Sequence, residues 1–387
     1  MLNLNPFKAK IHLNRNELSG AFGDIGTDMP LIIGMILASG LDTASVLITY
    51  GIMQLLTAFI YGIPMPVQPL KAVAMIVIAQ KIGPSIIYGG GLAIGIVMLI
   101  LTLTGMIDLI AKYIPKVVVR GIQFGLGIQL SMIALKDYVL SDSYPGYLIA
   151  GIAFVITILL LGNRKYPPAI FVIAAGIVYA LAVHFDVLTG TKLIQIAVPK
   201  FYTPTLTDML TGFLILALPQ IPLSIGNSII ATRQIAEDHF PEKKITVRKI
   251  SLTYSIINII NPLLGGIPTC HGSGGMAGHY AFGARTGGSV AIYGTMFLIL
   301  GIFFSGSFAT IVKIFPLPVL GVILLFEGLW LMVYIKDIID SKRSLFIALL
   351  VALIACGLPY GYLIGMIVGT ILYYTSDKKV KSFLKIS

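Results

Sequence analysis

The chain alternates long apolar runs with short polar links from end to end. Runs of roughly 17 to 25 apolar residues have the length that crosses a bilayer as a helix. The pattern predicts about fourteen spans, at 18–39, 44–61, 67–80, 88–109, 116–136, 146–162, 168–185, 207–231, 247–264, 270–283, 289–305, 308–330, 344–357 and 360–375. This describes an all-α polytopic membrane protein with no soluble domain at either end. Spans 67–80 and 270–283 stand apart. They are short, they are interrupted by proline or glycine, and they hold the same ordinal place in the two halves of the chain. The link between the seventh and eighth spans is the natural midpoint. The first half then covers 1–185, a linker 186–206, and the second half 207–387.

The halves read as diverged copies. GIP at 62–64 recurs at 266–268, an offset of 204. Pro115 and Gly127, twelve apart, recur as Pro316 and Gly328, an offset of 201. Asp24-Ile25 matches Gln220-Ile221, an offset of 196. An odd number of spans per copy makes the second copy enter the membrane upside down, an inverted repeat. In such proteins, short broken segments at matching positions mark the binding site.

The first of these segments, GIPMPVQPLK at 62–71, holds three prolines in eight residues. Proline donates no backbone hydrogen bond, so the chain here is expected to be extended. Pro69 suits the first turn of a helix running from about 70 to 79. The second, PTCHGSGGMAGHYAFGARTGG at 268–288, should be extended over 267–270 and helical from near Gly272. Backbone this irregular survives at membrane depth only where protein buries it or where it lines a polar cavity. Two half-helices starting near the midplane would present unpaired N–H groups and positive dipole ends to a small anion.

Gly272, Gly274 and Gly275 would let the anion approach the backbone. Gln68 and Ser273 add side-chain donors and Lys71 a full charge. Pro69, Thr27, Gln220, Cys270 and His271 complete the expected substrate-binding set. The prolines flanking Gln220 are expected to kink its helix and aim it. In GDIGTDMP at 23–30, Asp24 and Asp28 lie four apart on one helix face. A carboxylate in the membrane is expensive to keep charged, so both are candidates for proton coupling. Glu327 is a further membrane carboxylate, open to pairing with Arg120 or to a part in coupling; Arg120 is equally open to snorkelling toward the surface. Trp330 and most tyrosines are expected at the membrane interfaces.

Composition agrees with the pattern and removes other classes. Of 387 residues, 57% are hydrophobic and 11% charged, against about a quarter charged in soluble domains. The net charge of +11 sits in short links: Lys8, Lys10, Arg15; Lys112, Lys116; Arg164, Lys165; Arg233 to Lys249; Lys336 to Arg343; and the C-terminal lysines. With fourteen spans these fall on one side, which places both termini in the cytoplasm and explains the charge without nucleic acid. Lys192, Lys200 and Lys313 fall on the other side. Two cysteines are too few for a disulfide framework, and no Cys/His/Asp cluster accompanies His271, so neither a metal nor a cofactor is expected. Cys270 and His271 are adjacent and would point about 100° apart on a helix, a poor nucleophile–base pair, so an enzyme is not expected either.

Four stretches carry a family resemblance: SGAFGDIGTD at 19–28, GIPMPVQPLKA at 62–72, LPQIPLSIGN at 218–227 and PTCHGSGGMAGHYAFGAR at 268–285. On these the chain resembles the molybdate transporter branch of the sulfate permease (SulP) superfamily. The resemblance implies seven-plus-seven inverted repeats, with helices 1–4 and 8–11 forming a core domain and helices 5–7 and 12–14 a gate domain. It also implies uptake of molybdate; with the paired half-helix starts and the carboxylates Asp24 and Asp28, the expectation is proton symport by alternating access in the cell (inner) membrane. Membrane lipid, protons and a second copy in a homodimer are the implied partners. A carrier of sulfate or tungstate, or a passive exchanger or channel of the same fold, is the alternative. Sulfate permeases usually add a cytoplasmic regulatory domain of the STAS type, which is not expected here. Ser273 stands where the family pattern has alanine, and a hydroxyl there bears on the choice of oxyanion.

Overall fold

The structure is a computed structural model that describes residues 11–107, 115–142, 144–161, 168–183 and 194–375. Lys8, Lys10, Lys112, Arg164, Lys165, Lys192, the C-terminal lysines and the start of the 186–206 linker lie outside the described residues. The side chains of Glu327, Trp330 and Lys313 also lie outside them.

The helices are α1 (Arg15–Ala21), α2 (Ile25–Ser39), α3 (Thr43–Tyr61), α4 (Lys71–Gln80), α5 (Pro84–Leu103), α6 (Lys116–Ile133), α7 (Tyr144–Leu159) and α8 (Pro168–Val183). A long α9 (Leu206–His239) follows. The remainder are α10 (Val247–Leu263), α11 (Ser273–Ala281), α12 (Gly288–Phe303), α13 (Ser305–Ile314), α14 (Leu317–Val333), α15 (Lys342–Gly357) and α16 (Gly361–Thr375). Two three-residue strands, β1 (Val67–Pro69) and β2 (Thr269–His271), make the one sheet among the described residues.

Among the described residues, four helices are each long and apolar enough to cross a membrane: α3, α5, α6 with its continuation to Val139, and α9. The consecutive pair α12–α13, bent by 92°, is a fifth if counted as one broken span. Several expected spans are shorter or divided. The expected 18–39 span is two helices, because Gly23 packs against the backbone of Gly278 and Asp24 takes the N-cap position of α2. The expected 308–330 span is divided at Phe315, which stays extended before Pro316. The expected 207–231 span continues to His239.

α9 is continuous through its prolines. Pro219 and Pro222 lack N–H groups, and the helix passes them with π-type turns at Phe213–Ala217 and Ser224–Ile230. Gln220 sits between those turns.

Helix packing falls into two groups. In one, α3 lies along α12 and α5 along α10, with α2 against α4. Glycines allow the close approach: a Cβ on Gly51 would meet the Gly294 carbonyl at 2.7 Å. In the other group α6 packs on α14 and α15, and α15 on α16. There Gly127 and Gly328 face each other with no side chain between; a Cβ on Gly328 would sit 2.7 Å from the Gly127 carbonyl. These are the glycines that the repeat comparison matched. Several tyrosines expected at the interfaces are instead core residues, Tyr50, Tyr254 and Tyr293 among them, at 1% exposure or less.

The described part of the 186–206 linker is an extended strap. Its amides reach the Phe303 and Ile302 carbonyls of α12 (Gln195 and Ala197) and the Leu263 carbonyl of α10 (Tyr202). Lys200 adds an ion pair of 2.5 Å to Asp42. Burial of Asp42 alone would raise its carboxyl, but the Lys200 contact and the hydrogen bonds from Ser45 hold it below the usual carboxylate range.

α1 is fastened to the start of α12 by Glu17, which is 2% exposed. Its Oε1 accepts from the amides of Arg285 and Thr286 and its Oε2 from Ser289, each at 2.9 Å. Negative charge at a helix N-terminus also favours the dipole. Glu17→Ala strips three amides of their acceptor and should cost about 2 kcal/mol or more. Scanning fluorimetry of the purified protein in detergent should show a melting temperature lower by several degrees, with Glu17→Gln milder.

Candidate functional site

The two broken spans meet through their backbones. β1 and β2 pair antiparallel, Val67 opposite His271, Gln68 opposite Cys270 and Pro69 opposite Thr269. Three residues per strand leave polar groups that the sheet cannot satisfy, and side chains from neighbouring helices take them. Gln54 on α3 accepts from the Val67 amide at 3.0 Å and donates to the Val67 carbonyl at 2.8 Å. Asn258 on α10 does the same for Thr269, at 2.9 and 2.6 Å. Both amide side chains are fully buried. Each broken span is thus clamped by one amide from the preceding helix of its own half.

α4 starts at Lys71 after extended Leu70, and α11 at Ser273 after extended Gly272. Both starts lie within a residue or so of the sequence expectation. Their N-termini differ. Gln220 Oε1 accepts from the Ala72 and Val73 amides at 3.0 and 3.3 Å, so the first turn of α4 is capped from α9. Gln220 is held in turn through Ser224, whose hydroxyl meets Tyr254 at 2.7 Å. The N-cap residue of α11 is Gly272, which has no side chain to cap with. Asp24, the residue that the repeat matches to Gln220, lies beside α11 instead. A Cβ on Gly275 would fall on the Asp24 carboxylate.

A cavity of about 250 Å³ opens at these two helix starts. Gln68, Lys71, Cys270, Gly272, Ser273 and Gly274 line one side. α9 contributes Gln220, Asn227 and Ser228, while α6 and the turn after α14 contribute Arg120, Gln123 and Tyr334. Seven expected substrate residues are therefore brought together: Gln68, Lys71, Gln220, Cys270, Gly272, Ser273 and Gly274. Pro69, Thr27, His271 and Gly275 do not line the cavity. Alternation along a strand explains two of these: Gln68 and Cys270 face the cavity, so their neighbours face away. His271 is fully buried, with Nε2 2.6 Å from the Thr253 hydroxyl and its ring edge-on to Tyr61.

The carboxylates sit one layer back. Asp24, 5% exposed, accepts from Gln68 Nε2 at 2.5 Å. Asp28, fully buried, has its Oδ2 2.5 Å from the Tyr50 hydroxyl and 3.2 Å from that of Tyr293. Glu327 belongs to α14, with its side chain outside the described residues. Arg120 bonds to Asp337 and to Gln123 Oε1, the latter at 2.8 Å. Burial would raise the Asp337 carboxyl, but Arg120 and Lys116 hold it below its ordinary value. Gln54, Asn258, Tyr50, Tyr293, Gln123, Asn227 and Asp337 were not among the sequence candidates.

Comparison with known proteins fits this geometry. The transmembrane domain of a cyanobacterial bicarbonate transporter, BicA, superposes over 94% of this chain and 98% of its own, with a TM-score of 0.67 at 16% identity. Murine Solute Carrier 26 family member A9, an anion transporter in the inward-facing state, superposes over 93% of this chain and 68% of its own, with a TM-score of 0.70 at 13% identity. The fold is therefore that of the SLC26-type transporters, and the chain is a multi-pass membrane protein. A family model described as "Molybdate transporter of MFS superfamily" matches residues 16–130 and 212–331. Molybdate transporter 2 of Arabidopsis thaliana is 33% identical over 88% of this chain and 82% of its own length. Molybdate transporter 1 of the same plant is 31% identical over 92% and 87%, and molybdate transporter 1 of Chlamydomonas reinhardtii 25% over 92% and 91%. The chain belongs to the molybdate transporter family. The superfamily label in that description differs from the structural likeness, and the likeness is what describes this fold. These relatives are transporters and not enzymes, in line with the reading of Cys270 and His271.

Gly272 and Gly274 offer a contrast. A Cβ on Gly272 would overlap the Gln68 side chain, whereas one on Gly274 meets nothing within 4 Å. Gly272→Ala should dislodge Gln68 from Asp24 and lower the melting temperature by several degrees. Gly274→Ala should leave it unchanged, as read by scanning fluorimetry.

Proposed function

We propose that this protein is a secondary active importer of a tetrahedral oxyanion, molybdate, working by alternating access with a proton as the coupling ion. One observation carries the substrate class. The N-terminus of α11 meets Lys71, Arg120, Gln68 and Ser273 around one cavity, and no carboxylate lines it among the described residues. A doubly charged anion is favoured where helix-terminal N–H groups and cations converge in a partly desolvated space. The relatives' names supply molybdate as the particular anion.

Hydrogen-bond counting supports the proton. The Tyr50 hydroxyl lies 2.5 Å from Asp28 Oδ2 and 2.7 Å from the Val67 carbonyl. A hydroxyl has one proton to give, and the carbonyl only accepts. Both contacts are satisfied when Asp28 carries a proton and donates it to Tyr50, which then donates to Val67. A proton on Asp28 is thereby tied to the strand that holds Gln68. Asp24, hydrogen-bonded to Gln68, is the second coupling candidate, and Glu327 the third.

The two halves act as inverted repeats about an axis through the Gln68–Cys270 pair. Three observations support this: the strand register centred on that pair, the matched Gln54 and Asn258 clamps, and the Gly127–Gly328 crossing. The group containing α3, α5, α10 and α12 serves as the core domain and the group containing α6, α14, α15 and α16 as the gate. A second cavity of about 470 Å³ shares Arg120, Asn227 and Ala231 with the site and continues to Lys116 and Tyr373. This supports a site open toward the basic, cytoplasmic end, with both termini on that side of the cell membrane.

Uptake of molybdate into proteoliposomes, read by elemental mass spectrometry, tests the function. Uptake should saturate and should accelerate when the outside is made acidic. Saturable uptake indifferent to the gradient would remove the proton, and currents far above carrier turnover would indicate a channel. Asp28→Asn, which mimics the protonated state, should keep molybdate binding and abolish the response to the gradient. An unchanged response would show that Asp28 does not carry the proton.

A further inference from the structure

Resting on the reading that the cavity takes an oxyanion, we propose that Arg120 is the second cation of the site and is held ready by Asp337, an internal anion that the substrate displaces. Lys71 approaches the cavity from the start of α4, and Arg120 approaches it from a separate wall, α6. A doubly charged tetrahedral anion between them has one cation for each charge.

The surroundings of Arg120 are those of a group with donors to spare. Its side chain is 12% exposed. Nη1 donates to Gln123 Oε1, Nη2 to Asp337, and the plane lies over the Tyr334 ring with its centre 5.1 Å away. Nε is buried with no hydrogen-bond partner among the described residues. A guanidinium carries five N–H donors in a rigid fork, so this side chain is positioned and still under-used. Two of those donors match one edge of a tetrahedral oxyanion.

Asp337 has the complementary property. It also meets Lys116 Nζ at 3.2 Å and is 27% exposed. When Arg120 turns to the substrate, Asp337 keeps a cation and contact with water. Exchange of one anion for another on Arg120 therefore leaves no buried charge unpaired. Without substrate the site stays neutralised; with substrate the guanidinium joins α6 to the half-helix starts through the anion. Such a cation also favours doubly over singly charged anions.

Two substitutions separate this role from a structural staple between α6 and the turn after α14. A staple is broken equally by either change, so Arg120→Gln and Asp337→Asn would shift molybdate affinity in the same direction or leave it unmoved. Under the proposal they act oppositely. Titration calorimetry of the purified full chain with sodium molybdate should show Arg120→Gln weakening binding about tenfold or more, the effect of losing one hydrogen bond to an ion. Asp337→Asn, which removes the competitor, should tighten it about threefold or more. Arg120→Lys should fall between wild type and Arg120→Gln, which guards against misfolding as the cause. Arg120→Gln should also reduce the preference for molybdate over perrhenate, a singly charged tetrahedral oxyanion. Shifts of like sign, or no shift, in a wild type that binds molybdate overturn the role of Arg120 alone. A wild type that binds neither molybdate, tungstate nor sulfate overturns the oxyanion reading beneath it.

Discussion

The structure depends on satisfying backbone that is not helical at the depth of a membrane. Each unpaired amide or carbonyl there costs several kcal/mol, roughly the order of a whole domain's net stability when a few are summed. Six residues of this chain are held extended between apolar helices, and they pair with one another. What the short sheet leaves over is taken by Gln54 and Asn258. These two side chains explain why polar amides stand fully buried in α3 and α10, which would otherwise be ordinary apolar spans. The half-helices can begin in the interior only because the strands before them are paid for in hydrogen bonds.

From that arrangement follows an asymmetry between the two halves. α4 has its first turn capped by Gln220, a neutral acceptor reaching from α9. α11 has a carboxylate, Asp24, lodged near the same position. A neutral cap is permanent, since it gains and loses no charge. A carboxylate beside a helix start attracts the dipole when charged and leaves it to another anion when neutral. The two helix starts thus differ in the charge of what lies beside them, a neutral amide at α4 and a carboxylate at α11.

Much of this was legible in the sequence, and the losses have physical causes. Prolines 64, 66 and 69 and the glycines near 272 gave both broken spans nearly to the residue, because those residue types forbid or permit particular backbones. Offsets near 200 pointed to the repeat, and Gln54 and Asn258, 204 apart, carried the same signal. One polar residue in an apolar helix has no pattern of its own, so sequence alone does not single these two out. The pairing of the strands was hidden because register depends on tertiary contact. His271 was expected at the site and lies on the far face, since strand alternation, not helical rotation, decides where it points. Most tyrosines are expected at the interfaces, and Tyr50 and Tyr293 depart from that rule because burial of a tyrosine depends on a partner for its hydroxyl, here Asp28 on another helix. Asp337 sits beyond the end of a span, where sequence offers only loop charge.

The strand pair also sets a timetable for making the protein. Gln68 emerges from the ribosome 202 residues before Cys270. At about 5 to 20 residues per second, that interval is roughly 10 to 40 seconds. Throughout it, the first half of the chain resides at the membrane with one edge of β1 lacking its mate. Gln54 is already made by then and covers Val67, so the earlier half arrives with part of the gap closed. The edge of β1 gains its partner only once the second broken span has been made.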